Sequence, residues 1–130
     1  MEFHVSTSSR QPIYQQLARQ VREGVARGRL QPGDRLPSVR ELSRKLVVNP
    51  NTIARAYTEL ERDGVLHSRQ GQGVFIAEFK TDLTKPARKK QIAESIDQLL
   101  TEAIYLGFTQ NELQREVEIR ADKFQWGSDS

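Results

Sequence analysis

A short polar segment, Asn49-Pro50-Asn51-Thr52, and the nearby Arg55 carry the side chains best suited to chemistry in this sequence. An asparagine can form two hydrogen bonds with adenine, an arginine can do the same with guanine, and a threonine methyl can contact the thymine methyl. Asn49 and Pro50 are typical of the cap and the first residue of a helix. The segment therefore predicts a helix whose exposed N-terminal part presents Asn51, Thr52 and Arg55 to DNA.

Each of these side chains also has a purely structural interpretation. Asn49 is more often a helix cap than a base reader, because asparagine is strongly favoured at that position. Thr52 fits a cap or a solvent-facing position equally well. Arg55 can pair with Glu59 one helical turn later, which is a surface contact of only tenths of a kcal/mol.

Two further helices are predicted before this segment. Ile13, Leu17, Val21 and Val25 recur every four residues, which indicates an amphipathic helix over residues 12–27. Residues 38–41 read Ser-Val-Arg-Glu, a capping box that begins a short second helix. The third helix, residues 50–63, has an apolar face formed by Ile53, Ala56, Tyr57 and Leu60.

The hydrophobic period changes after Gly64, and residues 65–77 predict two short strands around the glycine-containing tip at 69–73. This order predicts a mainly α fold with a small β-hairpin, a winged helix-turn-helix over residues 1–79. A linker over residues 80–86 and a helical dimerisation tail over residues 87–126 are expected to follow. In this fold the third helix enters the major groove of DNA, and the hairpin wing lies near the minor groove.

The distribution of charge agrees with that arrangement. Residues 1–80 contain 13 Lys/Arg and 8 Asp/Glu, whereas residues 81–130 contain 7 and 9. A basic first part and a mildly acidic second part indicate that only the first part meets a polyanion. The remaining candidates for DNA contact around the helices and the wing are Arg35, Ser38, Arg40 and Arg69.

The tail carries an apolar series that two isolated amphipathic helices cannot bury. It is expected either to pack on a second copy of the chain or to fold back on the first helix, as in a monomer. A homodimer is favoured because two symmetric heads read twice the DNA sequence and require a palindromic site. The predicted interface residues are Ile92, Ile96, Leu99, Leu100, Ala103, Ile104, Leu113, Val117 and Phe124.

Three motifs in order resemble the GntR family of regulators. They are LPSVRELS at residues 36–43, VNPNTIARAY with a following Leu, Glu and Gly over residues 48–64, and GQGVF at residues 71–75. The Pro-Asn-Thr and Arg-Ala-Tyr wording and the short tail are similar to its YtrA-type subfamily. The resemblance covers roughly residues 10–77 and implies a dimeric transcription factor, usually a repressor. It implies DNA contacts at Arg40, Asn51, Thr52, Arg55, Gln70 and Gly71.

The sequence departs from the family pattern at two positions. Many members have an arginine where this chain has Pro50 and another where it has Ala54. These differences remove two potential contacts and place more weight on Arg40 and Arg55.

Other classes of function find little support. The chain has no cysteine and two histidines, and its serines lack a triad-like context, so no enzyme, metal or cofactor is expected. No segment has the length and apolarity of a membrane span or a signal peptide, and a cytoplasmic protein is expected. The alternative is a winged helix that binds another protein. The sequence does not identify a small-molecule effector.

Overall fold

The computed structural model describes residues 2–78 and 81–127. The chain divides into two compact units, one of Met1–Phe79 with Gln125–Ser130 and one of Lys80–Phe124. The elements follow in the order α1 (Ile13–Ala26), β1 (Arg35–Leu36), α2 (Val39–Leu46), α3 (Pro50–Arg62), β2 (Leu66–Arg69), β3 (Gly73–Ile76), α4 (Lys85–Tyr105) and α5 (Gln110–Ala121).

The core of the first unit joins α1, α2, α3 and the sheet. Leu17, Leu42, Ile53 and Leu60 are almost fully buried, as the apolar periodicity predicts. Burial of each such side chain stabilises the fold by about 1.5–3 kcal/mol. The mainly α winged-helix fold is confirmed, with one small difference at its start: Pro12 is the N-cap of α1 rather than its first residue.

The sheet contains a third strand that the sequence does not reveal. β3 lies between β1 and β2 and pairs with both in antiparallel fashion. Leu36 is opposite Val74, and Leu66 is opposite Ile76. Because side chains alternate across a strand, these four residues share the inner face and cover the core.

The first helix of the second unit begins two residues earlier than the predicted start of the tail at residue 87. Residues 79 and 80 lie outside the described residues. Helix α4 begins at Lys85, and Thr84 caps it by accepting a hydrogen bond from the Ala87 backbone N–H. Pro86 therefore lies in the first turn instead of ending the linker, because proline lacks only an N–H that has no helical partner there.

Helix α5 starts with a capping box formed by Thr109 and Glu112. The Thr109 backbone N–H donates to Glu112 at 2.9 Å, and the Glu112 N–H donates to the Thr109 hydroxyl at 3.2 Å. The hydrogen bond from the Thr109 backbone, followed by that from its side chain, lowers the pKa of the Glu112 carboxyl. The helix ends at Ala121, so Phe124, which is among the predicted interface residues of the helical tail, lies beyond the helix. None of the described helices combines the length and apolarity needed to cross a membrane.

Candidate nucleic-acid interface

The N-terminal ends of α2 and α3 are both fixed by side-chain caps. The Ser38 hydroxyl accepts a hydrogen bond from the Glu41 N–H at 3.0 Å, and the Asn49 side chain accepts one from the Asn51 N–H at 2.8 Å. Asn49 is thus a helix cap, in agreement with its structural interpretation. The reciprocal bond of the predicted Ser38 capping box is not seen; the Glu41 carboxylate lies 3.7 Å from the Arg35 guanidinium.

Side chains next to these caps are available to a ligand. Arg40 in α2 and Asn51 in α3 are exposed, and Thr52 is half-buried. Among the described residues, the side chains of Arg40 and Asn51 have no hydrogen-bond or ion-pair partner. The opposite face of α3 is buried through Ile53, Ala56, Tyr57 and Leu60. The helix is therefore anchored on one side and offers its polar N-terminal side to solvent.

A buried tyrosine ties α3 to the segment that precedes α2. The Tyr57 hydroxyl donates to the Pro37 carbonyl oxygen at 2.7 Å. Burial of the phenol, and secondarily the Glu41 charge, raises the pKa of Tyr57. The hydroxyl therefore stays protonated and keeps its role as a donor.

Arg55 contacts the first helix rather than Glu59. Its Nη2 donates to the Tyr14 hydroxyl at 3.2 Å, and its guanidinium carbon lies 3.8 Å from the centre of the Tyr14 ring. Glu59 instead pairs with Arg62 at 3.6 Å. The guanidinium of Arg55 is thus held in one orientation at the protein surface.

The outer face of the sheet is basic and aromatic. Phe75 is opposite Arg35 on one side and His67 on the other. The Arg69 guanidinium lies 4.6 Å from the centre of the Phe75 ring. The His67 ring stacks on the Phe75 ring, with 5.9 Å between the two ring centres. Arg35 and Arg69 are both exposed on this outer face.

Glycine is required at two positions of the wing. A side chain at Gly73 would come within 2.9 Å of Arg35 Nε, and the residue has φ 122°. Gly71 has φ 75° at the exposed tip, next to the exposed Gln70. The tip is therefore slim, which suits the narrow minor groove.

The turn between α2 and α3 contains a strained residue. Val47 has φ 55°, in the left-handed region that a β-branched side chain rarely adopts, and it is 90% exposed. Its N–H donates to the Ser43 carbonyl oxygen, which closes α2. The turn thereby orients α3, although its sequence lacks the usual glycine.

The predicted interface residues of the tail are mostly uncovered. Ile92, Ile96, Leu99, Leu100, Ile104 and Val117 are exposed, Leu113 and Phe124 are half-buried, and Ala103 is buried. A hollow of about 300 Å³ between α4 and α5 is lined by Leu99, Leu106, Phe108, Leu113 and Val117, among others. Within the described residues, these exposed aliphatic side chains leave an apolar surface on α4 and α5 open to solvent.

A helix-turn-helix with a basic wing and a free polar helix end defines a class, the DNA-binding transcriptional regulators. Within the described residues no group of three His, Cys, Asp or Glu side chains could hold a metal ion. Residues 13–76 match the family model "Bacterial regulatory proteins, gntR family".

The chain is 38% identical over 119 residues to the HTH-type transcriptional repressor YtrA of Bacillus subtilis, and the match covers 91% of this chain and 92% of that protein. This chain therefore belongs to the GntR family and is a DNA-binding regulator rather than an enzyme, and the resemblance identified from the motifs is confirmed.

Two solved structures extend the comparison. The crystal structure of a transcriptional antiterminator from Listeria monocytogenes EGD-e is 30% identical and has a TM-score of 0.80, covering 100% of this chain and 98% of that chain. The DNA-binding domain of AraR in complex with operator ORX1 is 28% identical and has a TM-score of 0.52, covering 59% of this chain and 96% of that one. The second structure shows a similar domain bound to operator DNA.

Sequence reasoning misses two contributors to the surface. The periodicity of α1 places Tyr14 beside the core face, whereas its contact with Arg55 joins residues 41 positions apart. The pattern of the hairpin identifies Phe75 as a strand residue, yet the side chain also supports Arg69 on the outer face of the wing. The alternation of the strand residues carries a signal for Phe75, whereas no local pattern pairs Tyr14 with Arg55.

Proposed function

We propose that the protein is a repressor that binds a palindromic operator as a homodimer, with α3 in the major groove and the wing near the minor groove. One observation carries this proposal: the capped N-terminal end of α3 presents Asn51, whose side chain has no partner among the described residues, while the opposite face is buried. A rigid helix with free polar groups at its N-terminal end can read base edges.

The groups around α3 are proposed to share the work between bases and phosphates. Arg40, Asn51 and Thr52 suit base edges, because they flank the two helix N-termini and are at least partly accessible. Arg35, Arg69, Gln70 and Gly71 suit the sugar-phosphate backbone and the minor groove at the wing. Ser38 and Asn49 support this surface chiefly as caps.

The tail is proposed to form the dimer. Its exposed aliphatic residues on α4 and α5 provide an apolar surface that a second copy can cover with the same residues. Such a two-fold interface matches the symmetry of a palindromic site. On this proposal the protein acts in the cytoplasm, where the DNA of a bacterial cell lies.

Selection from a pool of randomised duplexes tests this function and yields the operator sequence at the same time. We expect the bound fraction to converge on an inverted repeat whose half-sites are about 10 base pairs apart or more. A pool that shows no enrichment over the input would contradict a sequence-specific regulator.

Substitution of Asn51 tests the role of α3 on the selected duplex. Asn51→Ala is expected to weaken specific binding by about 1–3 kcal/mol and to relax the preference at one base pair, because it removes a base contact. Fluorescence anisotropy with the selected and a scrambled duplex measures both effects. Asn111→Ala is the matched control, because Asn111 is also exposed and is the second residue of its helix, α5. Equal losses for the two variants would contradict the assignment.

A further inference from the structure

The contact between Tyr14 and Arg55 has the properties of a built anion site. We infer that Tyr14 and Arg55 together bind a phosphodiester of the DNA backbone. Tyr14 positions the guanidinium, and its hydroxyl donates a hydrogen bond to the phosphate. This inference rests on the proposed function and changes the expected role of Arg55 from a base reader to a phosphate contact.

The hydrogen bonds of the Tyr14 hydroxyl leave only its donor free. The oxygen accepts from Arg55 Nη2 at 3.2 Å and from Gln15 Nε2 at 3.1 Å. A phenol has one O–H donor besides its acceptor capacity. Within the described part of the chain that proton has no acceptor. A group that both arginine and phenol can approach at this point must therefore be an acceptor, as phosphate oxygens are.

The orientation of Arg55 is set in advance by the same tyrosine. The guanidinium lies over the ring, 3.8 Å from its centre, while one of its nitrogens bonds the hydroxyl. Among the described residues no other group accepts a hydrogen bond from this guanidinium, so its other N–H groups are available for a bidentate contact with phosphate. Stacking of this kind reduces the conformational freedom that the side chain loses on binding.

The charge around the pair also favours an anion. An open hollow of about 270 Å³ is lined by Tyr14, Arg55, Thr58, Glu59 and Arg62. The negative charge of Glu59 is balanced by Arg62 at 3.6 Å. The charge of Arg55 is then unbalanced, and the residues that line the hollow carry a net charge of one positive unit. Tyr14 is the second residue of α1, where the helix dipole is positive.

Comparison of two duplexes distinguishes a phosphate contact from a base contact. Tyr14→Phe keeps the ring and removes the hydroxyl, so it is expected to weaken binding to the selected operator and to a scrambled duplex by the same factor, about 3- to 10-fold. Arg55→Ala is expected to weaken binding to both duplexes. It should also reduce the slope of the logarithm of the association constant against the logarithm of the salt concentration by about 1. Tyr105→Phe, an exposed tyrosine on α4, is the matched control and should leave both affinities unchanged.

Two further measurements make the test specific. The double variant should lose less than the product of the single losses, because each partner acts through the other. In a scan of duplexes that each carry a single uncharged methylphosphonate linkage, one position should weaken binding by the wild-type chain but not binding by Arg55→Ala. Thermal melting checks the fold of Tyr14→Phe. If Tyr14→Phe unfolds, Arg55→Ala still tests the inference, because Arg55 is exposed.

The outcomes separate this inference from the proposed function. Losses confined to the operator would make Arg55 a base reader and overturn the inference, and so would unchanged binding by a folded Tyr14→Phe variant. A wild-type chain that bound neither duplex would overturn the proposed function as well.

Discussion

At the scale of single residues, Val47 has a strained backbone conformation in the turn between α2 and α3. Its backbone has φ 55°, and a left-handed conformation costs a residue with a Cβ roughly 1–2 kcal/mol. The side chain is 90% exposed, so little burial compensates for this cost. The position nevertheless ends α2 and sets the direction of α3, which requires the conformation whichever residue adopts it.

Val47→Gly is therefore expected to raise the free energy of unfolding by about 1 kcal/mol, because glycine adopts positive φ without strain. Urea denaturation followed by circular dichroism measures the change. Lys45→Gly, two residues earlier in the regular part of α2, serves as the control and should lower stability by about 1 kcal/mol. A loss of stability in Val47→Gly would mean that the exposed valine makes a contact the strain argument ignores.

At the scale of elements, the position of α3 depends on a part-buried hydrogen bond as well as on apolar packing. Tyr57 crosses from α3 to the Pro37 carbonyl oxygen, just before the Ser38 cap of α2. Burial raises the pKa of the phenol, so the bond persists across the ordinary pH range.

Tyr57→Phe is expected to lower the free energy of unfolding by about 1–3 kcal/mol, because the Pro37 carbonyl is left without its donor in a part-buried site. Chemical denaturation measures the loss. The effect on the DNA affinity of the folded variant should be smaller than that of Asn51→Ala, because Tyr57 does not face the ligand. Stability equal to wild type would show that water replaces the phenol.

The elements themselves are largely predictable, and the exceptions share a physical cause. The buried face of α3 follows from a spacing of three and four residues, which is local information. Strand β1 has only two residues, and its pairing with β3 depends on tertiary contact between Arg35 and Phe75, which are far apart in the chain. Pro86 resembles a boundary in the sequence, although the first turn of a helix tolerates proline.

The candidate site is predictable to a similar degree. The caps and the exposed Asn51 follow from residue types at the start of a helix. The partner of Arg55 does not follow from residue type. The spacing of four residues along the helix predicts Glu59, whereas in the folded chain the guanidinium lies over the Tyr14 ring. Long-range contacts of this kind leave no periodic signal in a single sequence.

At the scale of the whole molecule, the proposed dimer is the feature on which operator recognition depends. The exposed aliphatic residues of α4 and α5 are uncovered within the described chain, and a second copy would remove them from water. Each contact in a two-fold interface occurs twice, so one substitution has a doubled effect.

Leu99→Glu is expected to raise the dimer dissociation constant by roughly 100-fold, because it places a charge in an apolar interface. Sedimentation equilibrium over a range of protein concentrations measures this change. Lys90→Glu, at an exposed polar position of the same helix, is the control and should leave the dimer intact. A wild-type chain that is monomeric at micromolar concentration, or a Leu99→Glu variant that dimerises normally, would contradict the proposed role of the tail.

The short strand β1 has a practical consequence for anyone who wishes to dissect this regulator. Because β3 bonds to β1 on one edge and to β2 on the other, the hairpin is built into the scaffold that leads to α2. Excising it would strip Arg35 and Leu36 of their backbone partners and disturb the helix-turn-helix together with the wing. Exchange of Gln70 at the solvent-facing bend would instead change the wing alone.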